Sequence, residues 1–307
     1  MKLALALIAL VAVIALLVRL SEPSLAFFPL AGETTTPQQF GISYETISIA
    51  TEDGERLLAW AIAPAAERPA NRLRPDSALQ ASSRSRRSAS REGGQGYGES
   101  AGHSVQNGPR AHVVYFHGNG GNLSIWAPIL AGIARQGYSV LAVDYRGYGR
   151  STGSPNERGL YRDVDAVVKR FWEGPRPGGP VVYWGRSLGG TMAAYAATVR
   201  APGGLILESA FPDVRTLARS SPLMAVLSLF STYRFPAARF MQRVSAPVLM
   251  MHGDRDSVIP FGQGQALFEK IPGPKRFFTI RGGDHNDVAP PDAPAYWEAV
   301  DEFVAGL

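Results

Sequence analysis

Short apolar runs alternate with amphipathic stretches from residue 111 to the end of the chain. The runs are rich in β-branched and aromatic side chains, which is typical of strands buried on both faces. The pattern therefore predicts an α/β fold in which helices cover both faces of a mostly parallel sheet. The predicted strands are Ala111–Phe116, Ser139–Asp144, Val181–Trp184, Gly204–Leu207, Pro247–Met251 and Arg276–Ile280, and the predicted helices are Asn122–Arg135, Asn156–Phe171, Leu188–Thr198, Phe261–Ile271 and Ala295–Val304.

Two β-rich runs come earlier, at Tyr44–Ala50 and Arg56–Ile62. The residues between them have turn chemistry, and Gly54 can adopt the positive φ that such a turn needs. We predict a hairpin here.

The N-terminus carries an unbroken apolar run from Leu3 to Val18, flanked by Lys2 and Arg19. At about 1.5 Å per helical residue the run covers roughly 24 Å, somewhat less than the roughly 30 Å hydrocarbon core of a bilayer. The two basic side chains could reach the interfaces and close that difference. We predict that residues 1–20 form a signal anchor or a signal peptide.

The two interpretations of this segment differ in what remains attached. A signal peptide would be cleaved near Ser24-Leu25-Ala26, whereas a signal anchor would stay as a single membrane pass. The length of the apolar run favours the anchor, as does Phe27, which begins domain-like sequence at once. With Lys2 held inside, the domain at residues 27–307 would lie on the extracytoplasmic side.

Residues 64–110 differ in composition from their surroundings, being crowded with Ser, Arg, Gly, Gln and Asn. We predict a disordered surface insertion between two strands, with an arm that touches anionic lipid or a partner as the alternative. The segment holds eight basic and four acidic residues, so it supplies +4 of the formal net charge of +5. Because the rest of the chain is nearly neutral, nucleic acid is not a predicted partner.

Composition narrows the chemistry further. With 307 residues, 45% of them hydrophobic, the chain suits one large domain with an appendage. It has no cysteine, which excludes a Cys nucleophile, a thiolate metal site and disulfides. No metal or cofactor is predicted, and no pattern indicates an oligomeric state.

Residues 211–243 lack a strand pattern and include the apolar stretch Leu223–Phe230. They predict a small helical lid over the carboxyl end of the sheet, where folds of this class bind ligands. The apolar lid favours a substrate with an acyl or other apolar group, although any lid helix must also bury an apolar face.

The strongest chemical signal is Gly185-Arg186-Ser187-Leu188-Gly189, between a predicted strand and a predicted helix. A nucleophile on such a tight turn needs small neighbours two positions away, and G-x-S-x-G supplies them. The helix N-terminus also favours developing negative charge. We predict that Ser187 is a nucleophile.

A glycine-rich turn, His117-Gly118-Asn119-Gly120-Gly121, follows another predicted strand. Such a turn lets backbone N–H groups point into a site, and we predict an oxyanion hole formed by the N–H groups of Asn119 and Leu188. The alternative is an ordinary turn in which Asn122 caps the next helix, and both can hold together. His117 is predicted to be structural.

A serine nucleophile needs a base, and the chain offers five histidines, at positions 103, 112, 117, 252 and 285. His285 is the best candidate, because its loop follows the last predicted strand at the same sheet edge as Ser187. Two acids, Asp254 and Asp256, follow the preceding strand and could orient the base. Of the two we favour Asp256. The order along the chain is then Ser, Asp, His, as it would also be with Asp254, and this order is the one expected for this fold.

Together these residues resemble the α/β-hydrolase superfamily, in particular its membrane-anchored α/β-hydrolase domain-containing branch of the bud-emergence type and the related serine aminopeptidase-like group. The matching segments are TEDGERLLAW, VVYFHGNGGN, LAVDYRGYGRSTGSP, YWGRSLGG, LILESAF, PVLMMHGDRDSVIP and GGDHND. The resemblance implies an eight-stranded sheet whose second strand is antiparallel, and a triad of Ser187, Asp256 and His285. It also implies that Asp144, Arg146 and Gly147 are architectural. The insertion at 64–110 departs from the family pattern.

The sequence therefore predicts a serine hydrolase that cleaves an ester, a thioester or a related acyl bond through an acyl-enzyme. A serine aminopeptidase-like peptidase is the enzymatic alternative, although no clear acidic site for a substrate ammonium is visible. A non-catalytic membrane-anchored scaffold is the alternative from another class, and the intact triad argues against it.

Overall fold

The computed structural model describes residues 2–65, 108–175, 178–219, 221–287, 290 and 292–307. Its helices are α1 (Lys2–Ala26), α2 (Leu123–Arg135), α3 (Glu157–Glu173), α4 (Leu188–Val199), α5 (Val214–Ala218), α6 (Pro222–Leu227), α7 (Ala237–Met241), α8 (Phe261–Glu269) and α9 (Ala293–Ala305). Its strands are β1 (Phe28–Pro29), β2 (Tyr44–Ala50), β3 (Arg56–Ile62), β4 (His112–Phe116), β5 (Gly120–Gly121), β6 (Ser139–Val143), β7 (Val181–Arg186), β8 (Gly204–Glu208), β9 (Val248–Gly253) and β10 (Lys275–Ile280).

Eight strands form the central sheet, in the order β10-β9-β8-β7-β4-β6-β3-β2. From β10 to β6 all neighbours are parallel, whereas β3 is antiparallel to both β2 and β6. The predicted mostly parallel sheet of eight strands with an antiparallel second strand is confirmed. Because the parallel strands share one direction, their carboxyl ends, and the loops that follow them, meet at one edge.

The predicted hairpin is confirmed as β2 and β3, which pair from Tyr44 opposite Ile62 to Ala50 opposite Arg56. Its turn closes with the Thr51 N–H donating to the Glu55 carbonyl over 2.9 Å. Gly54 has a φ of 89°, which a residue with a side chain would adopt only with strain.

Helices cover both faces of the sheet. Alternate side chains of each strand point to opposite faces, so Val114 and Phe116 enter one buried cluster while Val113 and Tyr115 enter the other. The first cluster is completed by apolar side chains of α3, α4, α7 and α8, and the second by those of α2 and α9. This layering explains why the parallel strands are apolar along their whole length.

Most predicted boundaries lie within about two residues of the observed ones. We predict an anchor segment over residues 1–20, and α1 runs from Lys2 to Ala26 through Pro23. Near its end, Glu22 accepts hydrogen bonds from residues 231–233. By length and composition, the segment Ala4–Ser24 can cross a membrane.

Residues 211–243 follow β8 at the carboxyl edge of the sheet. Those that the structure describes form the three short helices α5, α6 and α7 and no strand. Of the predicted insertion at 64–110, residues 66–107 lie outside the described part of the chain. The division of the chain into anchor, domain, insertion and lid remains a prediction.

Candidate active site

Ser187 occupies the one-residue turn between β7 and α4. Its φ of 55° and ψ of −121° are unusual for a residue with a side chain, and such strain persists only where the surroundings enforce it. Part of that enforcement is the Ser187 N–H, which donates to the carbonyl of Glu208 on the neighbouring strand over 2.9 Å. The turn places the Ser187 hydroxyl at the N-terminus of α4.

The glycines on either side of Ser187 are required by close backbone contacts. A Cβ on Gly185 would lie 2.0 Å from the Gly189 carbonyl oxygen, and a Cβ on Gly189 would lie 1.9 Å from that of Phe116. No side chain fits at either position, so the G-x-S-x-G spacing follows from packing as well as from chemistry.

The structure brings Ser187, His285 and Asp256 together from three separate loops. Nε2 of His285 lies 3.2 Å from the Ser187 Oγ, and its Nδ1 lies 2.8 Å from Oδ2 of Asp256. An ionised carboxylate only accepts hydrogen bonds, so Nδ1 carries the proton and Nε2 is left to accept from the serine hydroxyl. This is the geometry that proton transfer from a serine requires.

Asp256 is buried and held in place by several donors. Its Oδ1 accepts from the N–H groups of Val258 and Ile259 over 3.0 and 2.7 Å. Burial alone would raise the pKa of this carboxyl, but the contacts with His252 and His285 outweigh it and hold the pKa well below its usual range. Asp256 therefore stays ionised beside the imidazole.

The alternative acid and the alternative histidine have other contacts. Asp254 accepts from the Gly282 N–H over 2.7 Å. His252 is fully buried, and its Nε2 lies 2.9 Å from the Ile259 carbonyl and 3.4 Å from Oδ2 of Asp256. His252 thus contacts the Asp256 carboxylate, and the sequence pattern did not reveal this contact.

The glycine-rich turn lies beside Ser187, and Gly118, Asn119 and Leu188 line the same cavity as the serine. Leu188 is the first residue of α4, so its N–H has no acceptor within the helix. The backbone carbonyl and the side-chain Oδ1 of Asn119 both accept from the Tyr148 hydroxyl, over 2.9 and 3.0 Å, which fixes the orientation of the turn.

Asn122 caps α2, as the alternative interpretation of this turn expected. Its side-chain oxygen accepts from the Ser124 N–H over 3.0 Å. Its Nδ2 also donates to the carbonyls of Leu30 and Gly32, over 3.1 and 2.9 Å, and so ties the turn to the chain that follows α1.

His117 is enclosed and lies 3.5 Å from Asp144. Its Nδ1 donates to the Gly118 carbonyl over 2.7 Å, and burial lowers its pKa to about 4, so the ring is neutral. Burial raises the pKa of Asp144 to about 7, although its Oδ1 accepts from the Leu123 N–H over 2.8 Å. His117 shapes the turn and lies apart from the Ser187 hydrogen-bond chain.

Two residues that the sequence pattern did not single out hold the His285 loop. Arg186 is buried, and its Nη2 donates to the carbonyls of His285 and Asp287 over 2.7 and 2.9 Å. Its Nη1 lies 3.6 Å from Oε1 of buried Glu208. Only their positions in the sequence could have suggested this role. Arg186 is the residue before Ser187 in the G-x-S-x-G turn, and Glu208 ends the neighbouring strand β8.

A cavity of about 650 Å³ opens beside Ser187 and His285. Its walls are mainly apolar side chains from the lid segment and from α2, with Val258 from the Asp256 loop; they include Phe211, Leu217, Met224, Leu227, Ile125 and Val258. Its size is that of a typical small-molecule site. Among the described residues, no cluster of His, Cys, Asp or Glu suits a metal ion.

Comparison with known proteins agrees with this fold. A family model for the alpha/beta hydrolase fold matches residues 111–213. An uncharacterised protein of Mycobacterium tuberculosis is 31% identical over 195 residues, which cover 62% of this chain and 69% of the relative. Lysophosphatidylserine lipase ABHD12 of Mus musculus is 33% identical over 189 residues, which cover 55% of this chain and 47% of the lipase.

Solved structures show the same fold at lower identity. The Pyrococcus furiosus esterase Pf2001 superposes with a TM-score of 0.62 and 18% identity, over 91% of this chain and 96% of the esterase. The family-model match and the sequence relatives, together with the strand order, show that the chain belongs to the α/β-hydrolase superfamily.

Proposed function

We propose that this protein is a serine hydrolase that cleaves an acyl ester or thioester through an acyl-enzyme. The observation that carries the proposal is the hydrogen-bond chain from Asp256 through His285 to Ser187, which ends in an apolar cavity. A hydroxyl, a base and an oriented acid beside a cavity are the parts that acyl transfer needs.

In the proposed mechanism, the Ser187 Oγ attacks the acyl carbonyl carbon while Nε2 of His285 takes the hydroxyl proton. The N–H groups of Asn119 and Leu188 donate to the oxyanion of the tetrahedral intermediate. The imidazolium then gives its proton to the leaving alcohol or thiol, and the acyl group stays on Ser187.

Water completes the cycle by the same route. Nε2 of His285 takes a proton from the water, the hydroxide attacks the acyl-enzyme, and the Ser187 Oγ leaves with the proton that His285 returns. Asp256 remains ionised throughout and stabilises the imidazolium. No cofactor takes part in these steps.

The apolar cavity supports an acyl group with a hydrocarbon chain as the part of the substrate that binds. The name of the mouse relative, a lysophosphatidylserine lipase, is consistent with an ester of a fatty acid. The peptidase alternative has less support, because both carboxylates of the cavity wall already accept hydrogen bonds. Glu22 accepts from residues 231–233, and Asp287 accepts from the Asp284 N–H over 2.8 Å.

We also propose the location and the division of the chain. Residues 1–20 belong to a single-pass anchor, residues 27–307 form the hydrolase domain on the extracytoplasmic side, and residues 211–243 act as its lid. The span at Ala4–Ser24 and the basic Lys2 before it support this arrangement.

The test is steady-state hydrolysis of p-nitrophenyl esters of increasing acyl length by the full-length protein. The wild type should turn over these esters, and Ser187→Ala should lose at least about a thousandfold in kcat. Ser209→Ala is the matched control, since Ser209 is also buried, has a φ of 47° and lies outside the cavity. If aminoacyl p-nitroanilides react and no ester does, the peptidase alternative replaces the proposal.

A further inference from the structure

One face of α1 is turned toward the hydrolase domain. Ile14, Val18 and Ala26 are half-buried and Glu22 is 7% exposed, whereas most other described residues of α1 are exposed. These four positions recur every fourth residue, which places them on a single stripe of the helix. The stripe is therefore a packing face, and a helix that served only as a tether would not need one.

Glu22 forms the strongest contact of this stripe. Its carboxylate accepts from the Thr232 and Tyr233 N–H groups, each over 3.0 Å, and from the hydroxyls of Ser231 and Thr232. It is the one acidic residue of the first 26, in an otherwise strongly apolar helix. Four hydrogen bonds to one carboxylate tie the end of α1 to the lid segment.

The chain that leaves α1 holds the glycine-rich turn. Nδ2 of Asn119 donates to the Ala26 carbonyl over 2.6 Å, and β1 pairs with β5 inside that turn. Phe27 packs edge-on against Tyr233 and Phe235, with ring centroids 5.4 and 6.1 Å apart. The end of α1 is thus connected both to the lid and to the proposed oxyanion hole.

The same segment forms part of the cavity beside Ser187, through Val18, Glu22, Ala26 and Phe28. Removal of the chain up to Ala26 would delete three of these residues and the carbonyl that Asn119 binds.

At least half of the surface of several cavity residues is exposed, and these residues are apolar: Phe28, Ile125, Met224 and Val258. Leu223, Val226 and Leu229 of the lid segment are also exposed, at 68%, 56% and 64%. Apolar side chains thus surround the cavity next to a helix that is itself long and apolar enough to cross a membrane. Exposed apolar side chains that line a cavity mark a site of contact with another apolar phase.

We infer that α1 is retained as a wall of the catalytic cavity, latched to the lid by Glu22, and that the cavity opens into the bilayer to admit a membrane-resident lipid with a long acyl chain. The inference rests on the proposed hydrolase function and specifies its substrate class and entry route. The acyl chain passes between α1 and α6, and the scissile carbonyl stops at Ser187.

The docking of α1 can be tested without measuring activity, because the chain has no cysteine. The full-length double variant Val18→Cys/Leu227→Cys keeps the Glu22 contacts and places both thiols on the wall of the same cavity. In phosphatidylcholine vesicles a short bismaleimide should cross-link this pair within one chain. Glu45→Cys/Leu227→Cys is the control pair, since Glu45 lies on β2 at the far edge of the sheet. If the first pair is not cross-linked while the protein still labels with a fluorophosphonate, α1 does not dock and the inference is wrong.

The substrate class is tested by the ratio of kcat/KM for a palmitoyl ester in those vesicles to that for soluble p-nitrophenyl acetate. Glu22→Ala should lower this ratio about tenfold or more, and Glu22→Gln should restore part of it, because the amide oxygen still accepts hydrogen bonds. Glu45→Ala should leave the ratio unchanged. An unchanged ratio in Glu22→Ala overturns the inference.

Labelling of Ser187 by a fluorophosphonate separates the two claims. A wild-type protein that labels but shows no preference for the palmitoyl ester contradicts the inference and leaves the proposed function standing. A folded wild type that neither labels nor hydrolyses either ester contradicts both.

Discussion

The carboxyl edge of the sheet and the wall formed by α1 and the lid position their residues in different ways. At the sheet edge, Ser187 is fixed by the ends of β7 and α4 and by a backbone bond to the adjacent strand. At the wall, Glu22 and Thr232 meet across 210 positions of the chain, through side-chain contacts between short or exposed elements. Rigid strands thus position the proposed reacting atoms, whereas the proposed substrate-contacting surface depends on fewer contacts.

If the sheet edge carries the chemistry, its variants should lower kcat far more than they change KM. His285→Ala removes the proposed base for the Ser187 proton, and kcat for p-nitrophenyl butyrate should fall by about 10⁴ with little change in KM. His103→Ala, in the predicted insertion, is the control and should match the wild type. A His285→Ala protein that keeps a tenth of wild-type kcat would show that another group is the base.

The buried pair of Arg186 and Glu208 beneath the sheet edge should contribute strongly to the free energy of unfolding. Glu208→Gln leaves the Arg186 guanidinium buried without its counter-charge, which should destabilise the fold by about 3–5 kcal/mol. The corresponding fall in melting temperature, measured by calorimetry, is roughly 10 °C. The matched control is Glu302→Gln, whose pair with Arg276 is half-exposed, and its effect should be within about 0.5 kcal/mol. Equal effects of the two variants would contradict the role given to Glu208.

The two regions also differ in how much the sequence could predict. The strands of the sheet edge repeat a local pattern, and the G-x-S-x-G turn, the glycine-rich turn at 117–121 and the loops of Asp256 and His285 each follow a strand. Their meeting at one edge therefore follows from the parallel sheet alone. In the structure the five predicted site residues lie close together at this edge: Ser187, Asp256, His285, Asn119 and Leu188.

The wall and the supports could not be predicted in the same way. A lone Glu22 in an apolar helix has no local pattern that identifies the turn at 231–233 as its partner. Arg186 and Glu208 are likewise paired by the register of two strands, with Arg186 opposite Glu208. Such pairs depend on tertiary geometry, which hydrophobic periodicity does not encode.

Because Asp144 is buried beside the sheet edge, it should make the free energy of unfolding depend on pH. Its pKa is raised by burial from 3.8 to about 7, so the folded protein binds the extra proton between these values. The stability from that proton is fully present below pH 3.8 and is lost as pH rises through 7. Asp144→Asn imitates the protonated form, so from pH 5 to pH 8 the wild type should lose about 3 kcal/mol relative to the variant.

Urea unfolding at the two pH values measures this difference. His117, whose pKa burial lowers to about 4, acts in the opposite direction, since its contribution is present above pH 6.5 and is lost as pH falls toward 4. Asp144→Asn removes a carboxylate 3.5 Å from Nε2 of His117, which cannot raise the pKa of this imidazole. His117 therefore stays neutral in both folded proteins from pH 5 to pH 8, and its contribution cancels. A constant difference between wild type and Asp144→Asn would show that Asp144 is ionised across this range.

On the wall, substitutions should change acyl selectivity with a smaller energy. Leu227→Trp adds bulk inside the cavity and should lower the ratio of kcat/KM for a twelve-carbon ester to that for the acetyl ester by about tenfold. Leu223→Trp is the matched control, because Leu223 is an exposed residue of the same helix and does not line the cavity. Loss of selectivity in both variants would indicate a general change of the lid rather than filling of the cavity.

The most direct test of the central claim is to identify the residue that forms a covalent bond with an acyl-like electrophile. The full-length protein, treated with a fluorophosphonate, is digested and analysed by mass spectrometry. We expect one adduct per chain, on the peptide that contains Ser187, and no adduct in Ser187→Ala. An adduct on another serine, or labelling that persists in Ser187→Ala, would contradict the assignment of Ser187 as the nucleophile.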